Sequence, residues 1–259
     1  MKINELFNVS GKVAIVTGGS RGIGEMIAAG FLANGAKVYI TARKEAALIE
    51  KASELSETYQ AECIPVPCDL STMDGMEEFV KFMQSKEQHI DFLINNAGAS
   101  WGEPYAEYSE KGWDKVMDLN VKSIFYLTQK LTPMLINQAS ADNPSRVINI
   151  GSIDGLNVPA LESYAYGTSK AAVIALVRNL SSAIAPHVRI NSVAPGLIET
   201  DMIQALDKKT RKNIVETTPL KRIGKPKDIA NTVCYLLSEK SDFTTGQTLV
   251  TDGGRIPLP

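Results

Sequence analysis

A phenol and an ammonium one helical turn apart, Tyr166 and Lys170 in Tyr166-Gly167-Thr168-Ser169-Lys170, make a pair that can move a proton. Residues at i and i+4 share a helix face. A phenol with a pKa near ~10 is a poor acid or base at neutral pH, but an adjacent ammonium favours the phenolate, and each tenfold change in that ionisation is worth about 1.4 kcal/mol. The spacing alone carries little: with 8 tyrosines and 19 lysines in 259 residues it arises by chance, and it recurs at Tyr126 and Lys130. Context separates the two pairs. Ser152 lies 14 residues before Tyr166, where a strand ends, and strand ends are where such sheets hold their ligands; Tyr126 has no serine or threonine at a comparable upstream distance. Read by itself, Ser152 is also a turn hydroxyl in Gly151-Ser152-Ile153-Asp154-Gly155.

A second constellation, Thr17-Gly18-Gly19-Ser20-Arg21-Gly22-Ile23-Gly24, suits phosphate. Glycines at 18, 22 and 24 let backbone turn tightly and approach a pyrophosphate, and the helix that follows offers free N–H groups and a partial positive charge. Dinucleotide sites that take NAD usually carry an acid at the end of the second strand, on the ribose hydroxyls. Here that strand ends Thr41-Ala42-Arg43. Arg43 and Arg21 can flank a 2′-phosphate instead, which points to NADP(H), although both also read as solvated surface arginines. Asp69, beside Leu70 after the third strand, suits either the adenine edge or the cap of a helix starting near Ser71.

The elements that must position these residues alternate along the chain. Strands are expected over Lys12 to Thr17, Val38 to Thr41, Glu62 to Val66, Ile90 to Ile94, Arg146 to Ile150, Val188 to Val193 and Thr248 to Thr251. Helices are expected over Ile23 to Ala33, Glu45 to Tyr59, from near Ser71, over Trp113 to Asn137 in one or two pieces, over Ser163 to Ala185, and over Pro226 to Leu237. Near-continuous apolar strands alternating with helices predict an α/β, doubly wound Rossmann-type fold, a seven-stranded parallel sheet with helices on both faces. Length and the lack of a linker predict one domain over 1–259, with residues 197–225 as a substrate lid.

Taken together and in order, Thr17-Gly-x-x-x-Gly-x-Gly24, Asn95-Asn96-Ala97-Gly98, Asn120, Ser152, Tyr166-x-x-x-Lys170, Pro195-Gly196 and Asp252-Gly253-Gly254 resemble the single-domain short-chain dehydrogenase/reductases. The runs Asn96 to Gly102, Gly112 to Met117 and Arg146 to Ser152 look like the rhamnolipid-associated 3-oxoacyl reductases within them. The resemblance implies a catalytic set of Asn120, Ser152, Tyr166 and Lys170: Tyr166 donates a proton to a carbonyl oxygen, Ser152 positions that oxygen, Lys170 lowers the phenol pKa and holds the nicotinamide ribose, and Asn120 anchors a water in a proton relay. From its neighbours alone Asn120 reads as a helix kink or cap. The implied dinucleotide set is Gly18, Ser20, Arg21, Gly22, Ile23, Gly24, Arg43, Asp69, Leu70, Asn96, Ala97, Gly98, Tyr166, Lys170, Pro195, Gly196, Ile198 and Thr200. Asp252-Gly253-Gly254 reads as structural. The resemblance further implies a homotetramer that uses the helices after Asn120 and after Ser163; the run Ala171 to Val177 fits a helix covered on two sides.

Composition limits the partners. A net charge of −2 with 22% charged residues gives no field for nucleic acid or an anionic membrane. No run spans a bilayer, and Met1-Lys2-Ile3-Asn4-Glu5 lacks the apolar stretch of a signal peptide. Three cysteines, Cys63, Cys68 and Cys234, at irregular spacing fit a reducing cytoplasm. His89 and His187 lack ligand-like spacing, so no metal is expected. The reading is an NADPH-dependent reductase of a small-molecule ketone, with an acyl thioester as one candidate. Trp101, Tyr105, Tyr164, Leu156 and the segment after Thr200 are candidates for an apolar substrate wall. The alternatives are an NAD-linked alcohol dehydrogenase and a nucleotide-binding protein with little chemistry.

Overall fold

The computed structural model describes residues 8–159, 161–200 and 207–256. Seven strands form one parallel sheet: β1 (Val13–Thr17), β2 (Lys37–Ala42), β3 (Cys63–Pro67), β4 (Phe92–Asn95), β5 (Ser145–Ile150), β6 (Val188–Pro195) and β7 (Thr248–Thr251), in the spatial order β3-β2-β1-β4-β5-β6-β7. The helices are α1 (Gly22–Leu32), α2 (Glu45–Tyr59), α3 (Met73–Lys86), α4 (Glu110–Met117), α5 (Ser123–Ile136), α6 (Tyr164–Ile184), α7 (Lys208–Thr217) and α8 (Pro226–Leu237).

Strand alternation explains why both faces are covered. In β1, Ala14 and Val16 enter one core with α1, α2 and α8, while Val13 and Ile15 enter a second with α3, α5 and α6. Val38 and Ile40 against Tyr39, and Ile148 and Ile150 against Val147, divide the same way. Since both faces are apolar, the strands lack the polar alternation of a half-exposed sheet.

The elements α2, α8 and β7 begin and end where the sequence predicts, and the other boundaries differ by a few residues. Two differences have clear causes. The third helix is capped by Thr72, whose hydroxyl accepts from the Gly75 N–H at 3.1 Å, not by Ser71 or Asp69. The stretch expected as one or two helices after Trp113 contains a single π-helical turn, Asp118–Lys122, between α4 and α5. There the Ser123 N–H reaches back five residues to the Asp118 carbonyl. One extra residue per turn is invisible to a periodicity argument. In the stretch expected as a lid, residues 197–225, α7 is a regular helix, Ile198 pairs with Gly224, and the Gly224 N–H donates to the Leu197 carbonyl. Residues 201–206 of that stretch lie outside the described residues.

Because the order reverses between β1 and β4, the loops leaving those strands diverge to opposite faces and open a crevice at the carboxyl ends. Most of the candidate residues follow strand ends or flank that crevice.

Candidate active site

A cleft of about 790 Å³ runs along the carboxyl edge of the sheet, from Arg43 and Asp69 at one end to Ser152 and Tyr166 at the other. At its first end β1 gives way to Gly18, whose φ of +65° only glycine adopts comfortably. A side-chain carbon there would sit 3.0 Å from the Ala97 backbone, so the loops after β1 and β4 are in contact. Thr17 and Asn96 fasten them. The Thr17 hydroxyl accepts from the Asn96 and Ala97 N–H groups at 2.9 Å, and Asn96 Nδ2 donates to the Thr17 and Gly18 carbonyls.

Helix α1 begins after Arg21, which is extended and makes no side-chain cap. The backbone donors of the first turn therefore remain available, and Gly22 and Ile23 from that turn line the cleft. Gly18, Ser20, Arg21, Arg43, Asp69, Leu70, Asn96, Ala97 and Gly98 line it as well. Gly24 does not: a methyl there would meet the Gly18 carbonyl and Asn96 Nδ2, so this glycine serves loop packing. Asp69 folds one carboxylate oxygen onto the Ser71 N–H and hydroxyl, at 3.0 and 2.7 Å, and so stiffens the turn after β3.

At the other end Ser152 terminates β5, buried and extended, and its Oγ accepts from the Asp154 N–H at 3.1 Å. Tyr166 and Lys170 project from the first turns of α6 into the same cleft. Lys170 Nζ donates to the Ile150 carbonyl at 2.7 Å and lies 5.5 Å from the centre of the Tyr166 ring. Burial pushes the Tyr166 phenol up to about 12; the Ser152 hydroxyl opposes that rise and the Asp154 charge adds to it. Burial also pushes Lys170 down to about 8. This is the reverse of the expected lowering of the phenol. Both groups share one poorly solvated pocket, and the ammonium is bonded to a carbonyl rather than to the phenol oxygen.

Asn120 is fully buried in the π turn and does not line the cleft. Its Oδ1 accepts from the Ala99 N–H at 2.8 Å, and its Nδ2 donates to the Ala99 carbonyl and the Ser169 hydroxyl. It thereby ties the loop after β4 to α6, next to Lys170. A carbon added at Gly98 would lie 3.3 Å from Asn120 Oδ1 and 3.8 Å from Lys170 Nζ. The second Tyr–Lys pair has a different fate. Tyr126 packs on the α3–α5 core, and Lys130 pairs with Glu77 at 3.1 Å, away from the cleft.

A family model described as enoyl-(acyl carrier protein) reductase, one of the short-chain dehydrogenase type, matches residues 18–255. The chain belongs to the short-chain dehydrogenase/reductase family. The rhamnolipids biosynthesis 3-oxoacyl-(acyl-carrier-protein) reductase of Pseudomonas aeruginosa is 40% identical to it over 96% of this chain and 97% of its own length. A 3-oxoacyl-(acyl-carrier-protein) reductase of Staphylococcus epidermidis is 36% identical over 94% and 98%. The solved structure of the Pseudomonas aeruginosa RhlG/NADP active-site complex superposes with a TM-score of 0.92, at 39% identity, covering 97% of this chain and 98% of that one.

For a short-chain dehydrogenase/reductase the remaining expectations fare unevenly. Pro195, Gly196, Ile198 and Thr200 line the cleft after β6. Trp101, Tyr105, Tyr164 and Leu156 do not. Trp101 is stacked beneath Lys115, 4.4 Å from its ammonium, and against Gly112, while Tyr105 and Tyr164 meet edge to face on the surface. Large apolar surface is what these residues share, and the direction a side chain takes is not readable from its type. The apolar wall is made instead by Ile153, Leu161, Leu197 and Ile214. Sequence reasoning also missed Asp154, Asn213 and Arg255, which face the cleft. For Arg255 a signal existed. Gly253 and Gly254, at φ +71° and +83°, turn the chain back over the sheet edge just before it. No group of acids, histidines and cysteines suited to a metal occurs among the described residues. No helix of the described residues is long and apolar enough to cross a membrane.

Proposed function

We propose that this enzyme reduces a ketone to a secondary alcohol with NADPH, and that 3-oxoacyl thioesters are its substrate class. The observation that carries the proposal is the convergence of Ser152, Tyr166 and Lys170 on one cleft with the uncapped start of α1 and the pair Arg21 and Arg43. The residues suit a dinucleotide: positive-φ glycines keep side chains out of the phosphate path, and open helical N–H groups face it. Arg21 and Arg43 supply the cationic partners a 2′-phosphate needs, and Asp69 retains a carboxylate oxygen for the adenine end. A bound NADPH supplies the hydride.

The chain's own residues handle the oxygen and its proton. A phenol raised by burial is fully protonated at neutral pH, so Tyr166 is a donor in waiting. Ser152 donates its hydroxyl hydrogen to the carbonyl oxygen and fixes its distance from Tyr166. Lys170, still largely charged at pH 7, stabilises the negative charge left on the phenol oxygen. Asn120 is a positioning residue that holds the loop after β4 against α6. Relatives acting on 3-oxoacyl groups support the substrate class, as does the apolar wall of Ile153, Leu161 and Ile214. The stretch 197–225 acts as a substrate lid whose base is joined by the Ile198–Gly224 bridge. The enzyme works in the cytoplasm, in keeping with its three free thiols. It assembles as a homotetramer, with the exposed small residues Ala171 and Ala175 of α6 offering a close-approach face.

A kinetic screen of 3-oxoacyl thioesters, steroids, sugars and small diketones tests this reading. The highest kcat/KM is expected for a 3-oxoacyl thioester with NADPH. A preference for sugars or steroids would remove the substrate class, and no turnover of any ketone would remove the reductase.

A further inference from the structure

The cleft is lined by a further cation that neither the dinucleotide nor the proton transfer uses. Arg255 follows Gly253 and Gly254, which pack on Pro219 and Thr218 beyond α7. The chain is fastened on both sides of it: Asp252 accepts from the Gly254 N–H and from the Ile256 N–H, each at 2.8 Å. Arg255 is therefore a partly buried side chain on an anchored turn. Among the described residues its hydrogen bonding is limited to one long contact, Nη1 to Thr217 Oγ1 at 3.3 Å, and no carboxylate lies within ion-pair distance. A guanidinium has five N–H donors in a planar fork, so most of this one's capacity is unspent among the described residues, and the residue lines the cleft.

Its neighbours assign it to the reacting end. Asp154, two residues beyond Ser152, lines the same cleft and feels the charge of Arg255 without an ion pair to it. Leu161 and Ile214 give that cleft apolar lining. A substrate seated there with its carbonyl at Ser152 runs along apolar walls and meets a cationic fork at the far side.

We infer that Arg255 is a specificity-determining residue that receives an anionic oxygen group, carboxylate or phosphate, carried by the substrate away from its carbonyl. This rests on the ketone-reductase reading above. A fork facing a carboxylate or phosphate makes two parallel charge-assisted hydrogen bonds, whereas a neutral substrate leaves a partly desolvated cation without a partner. The anion has two chemical sources: a carboxylate on the substrate's own chain, or a phosphate on the carrier arm of a thioester.

Matched pairs of substrates separate the sources and test the inference. The pairs are 5-oxohexanoate with its methyl ester, and 3-oxobutyryl-coenzyme A with the N-acetylcysteamine thioester of the same acid. In Arg255→Met, KM for the anionic member of at least one pair is expected to rise tenfold or more beyond any rise for its neutral partner, and Arg255→Lys should recover part of the loss. The pair that responds identifies the source. Equal changes within both pairs would overturn the inference. If no ketone is turned over, the reductase reading falls, and Arg255 is decided by calorimetry of 5-hydroxyhexanoate and of 3-hydroxybutyryl-coenzyme A binding to the NADP-saturated protein. Tenfold weaker binding of either in Arg255→Met supports the role; equal binding of both, or none in the wild type, overturns it.

Discussion

Lys170 bears a conflict that its position requires. Its ammonium is buried with a single carbonyl partner, Ile150, and its pKa falls to about 8. An unfolded lysine stays charged to about 10.4, so below pH 8 the folded chain bears a charging penalty on the order of 3 kcal/mol, which fades as pH rises through that interval. Lys170→Met removes the penalty but orphans the Ile150 carbonyl, a loss of about 1–3 kcal/mol. The variant is expected to be more stable at pH 7 by on the order of 1 kcal/mol and to lose that advantage by pH 10, as read by urea unfolding at both values. Its kcat should fall at least ~100-fold. The same two pKa values give the sign of the activity profile. Ketone reduction needs a protonated Tyr166 and a charged Lys170, so kcat/KM should hold up to about pH 8 and decline above it. At the other end, Arg43→Ala should weaken NADPH binding ~10- to 100-fold while leaving NADH binding within about threefold, as measured by fluorescence titration.

At the scale of elements, glycines decide where loops and helices meet. Gly24 lies in α1 against the Gly18 carbonyl, which a methyl group would approach within van der Waals contact, so Gly24→Ala must push helix and loop apart. Overpacking of this kind costs about 1–3 kcal/mol, and here it also displaces the first-turn donors. Both a lowered melting temperature and weaker dinucleotide binding are expected; wild-type values for both would contradict the packing described. What is legible in the sequence at this scale follows periodicity and breakers: α2 and α8, and the glycine-rich turn after β1. The π turn is not, because one extra residue leaves no mark in an apolar pattern, and Asn120 gains its place in the expected site only through resemblance. The wall residues are not legible either. Trp101 and Tyr164 have the chemistry of a substrate wall, but where their rings lie depends on contacts with Lys115 and Tyr108 that no local pattern encodes.

For the whole molecule, the order β3-β2-β1-β4-β5-β6-β7 gathers residues from across the chain onto one edge. Alternating apolar strands and helices make the sheet readable, and once strand ends are known their loops must share that edge. Arg255 arrives there because the last strand lies beside β6 and because Gly253 and Gly254 turn the chain after it. The proposed assembly is tested by light scattering across a concentration series: a mass of four chains is expected, and a concentration-independent monomer would contradict it. The central claim is that Tyr166, held by Ser152 and Lys170, delivers the proton to a ketone oxygen. Single-turnover oxidation of bound NADPH by a 3-oxoacyl thioester tests it in wild type and Tyr166→Phe. The variant should bind NADPH with wild-type affinity to within about threefold, yet react at least ~100-fold more slowly. A rate close to wild type would contradict the account.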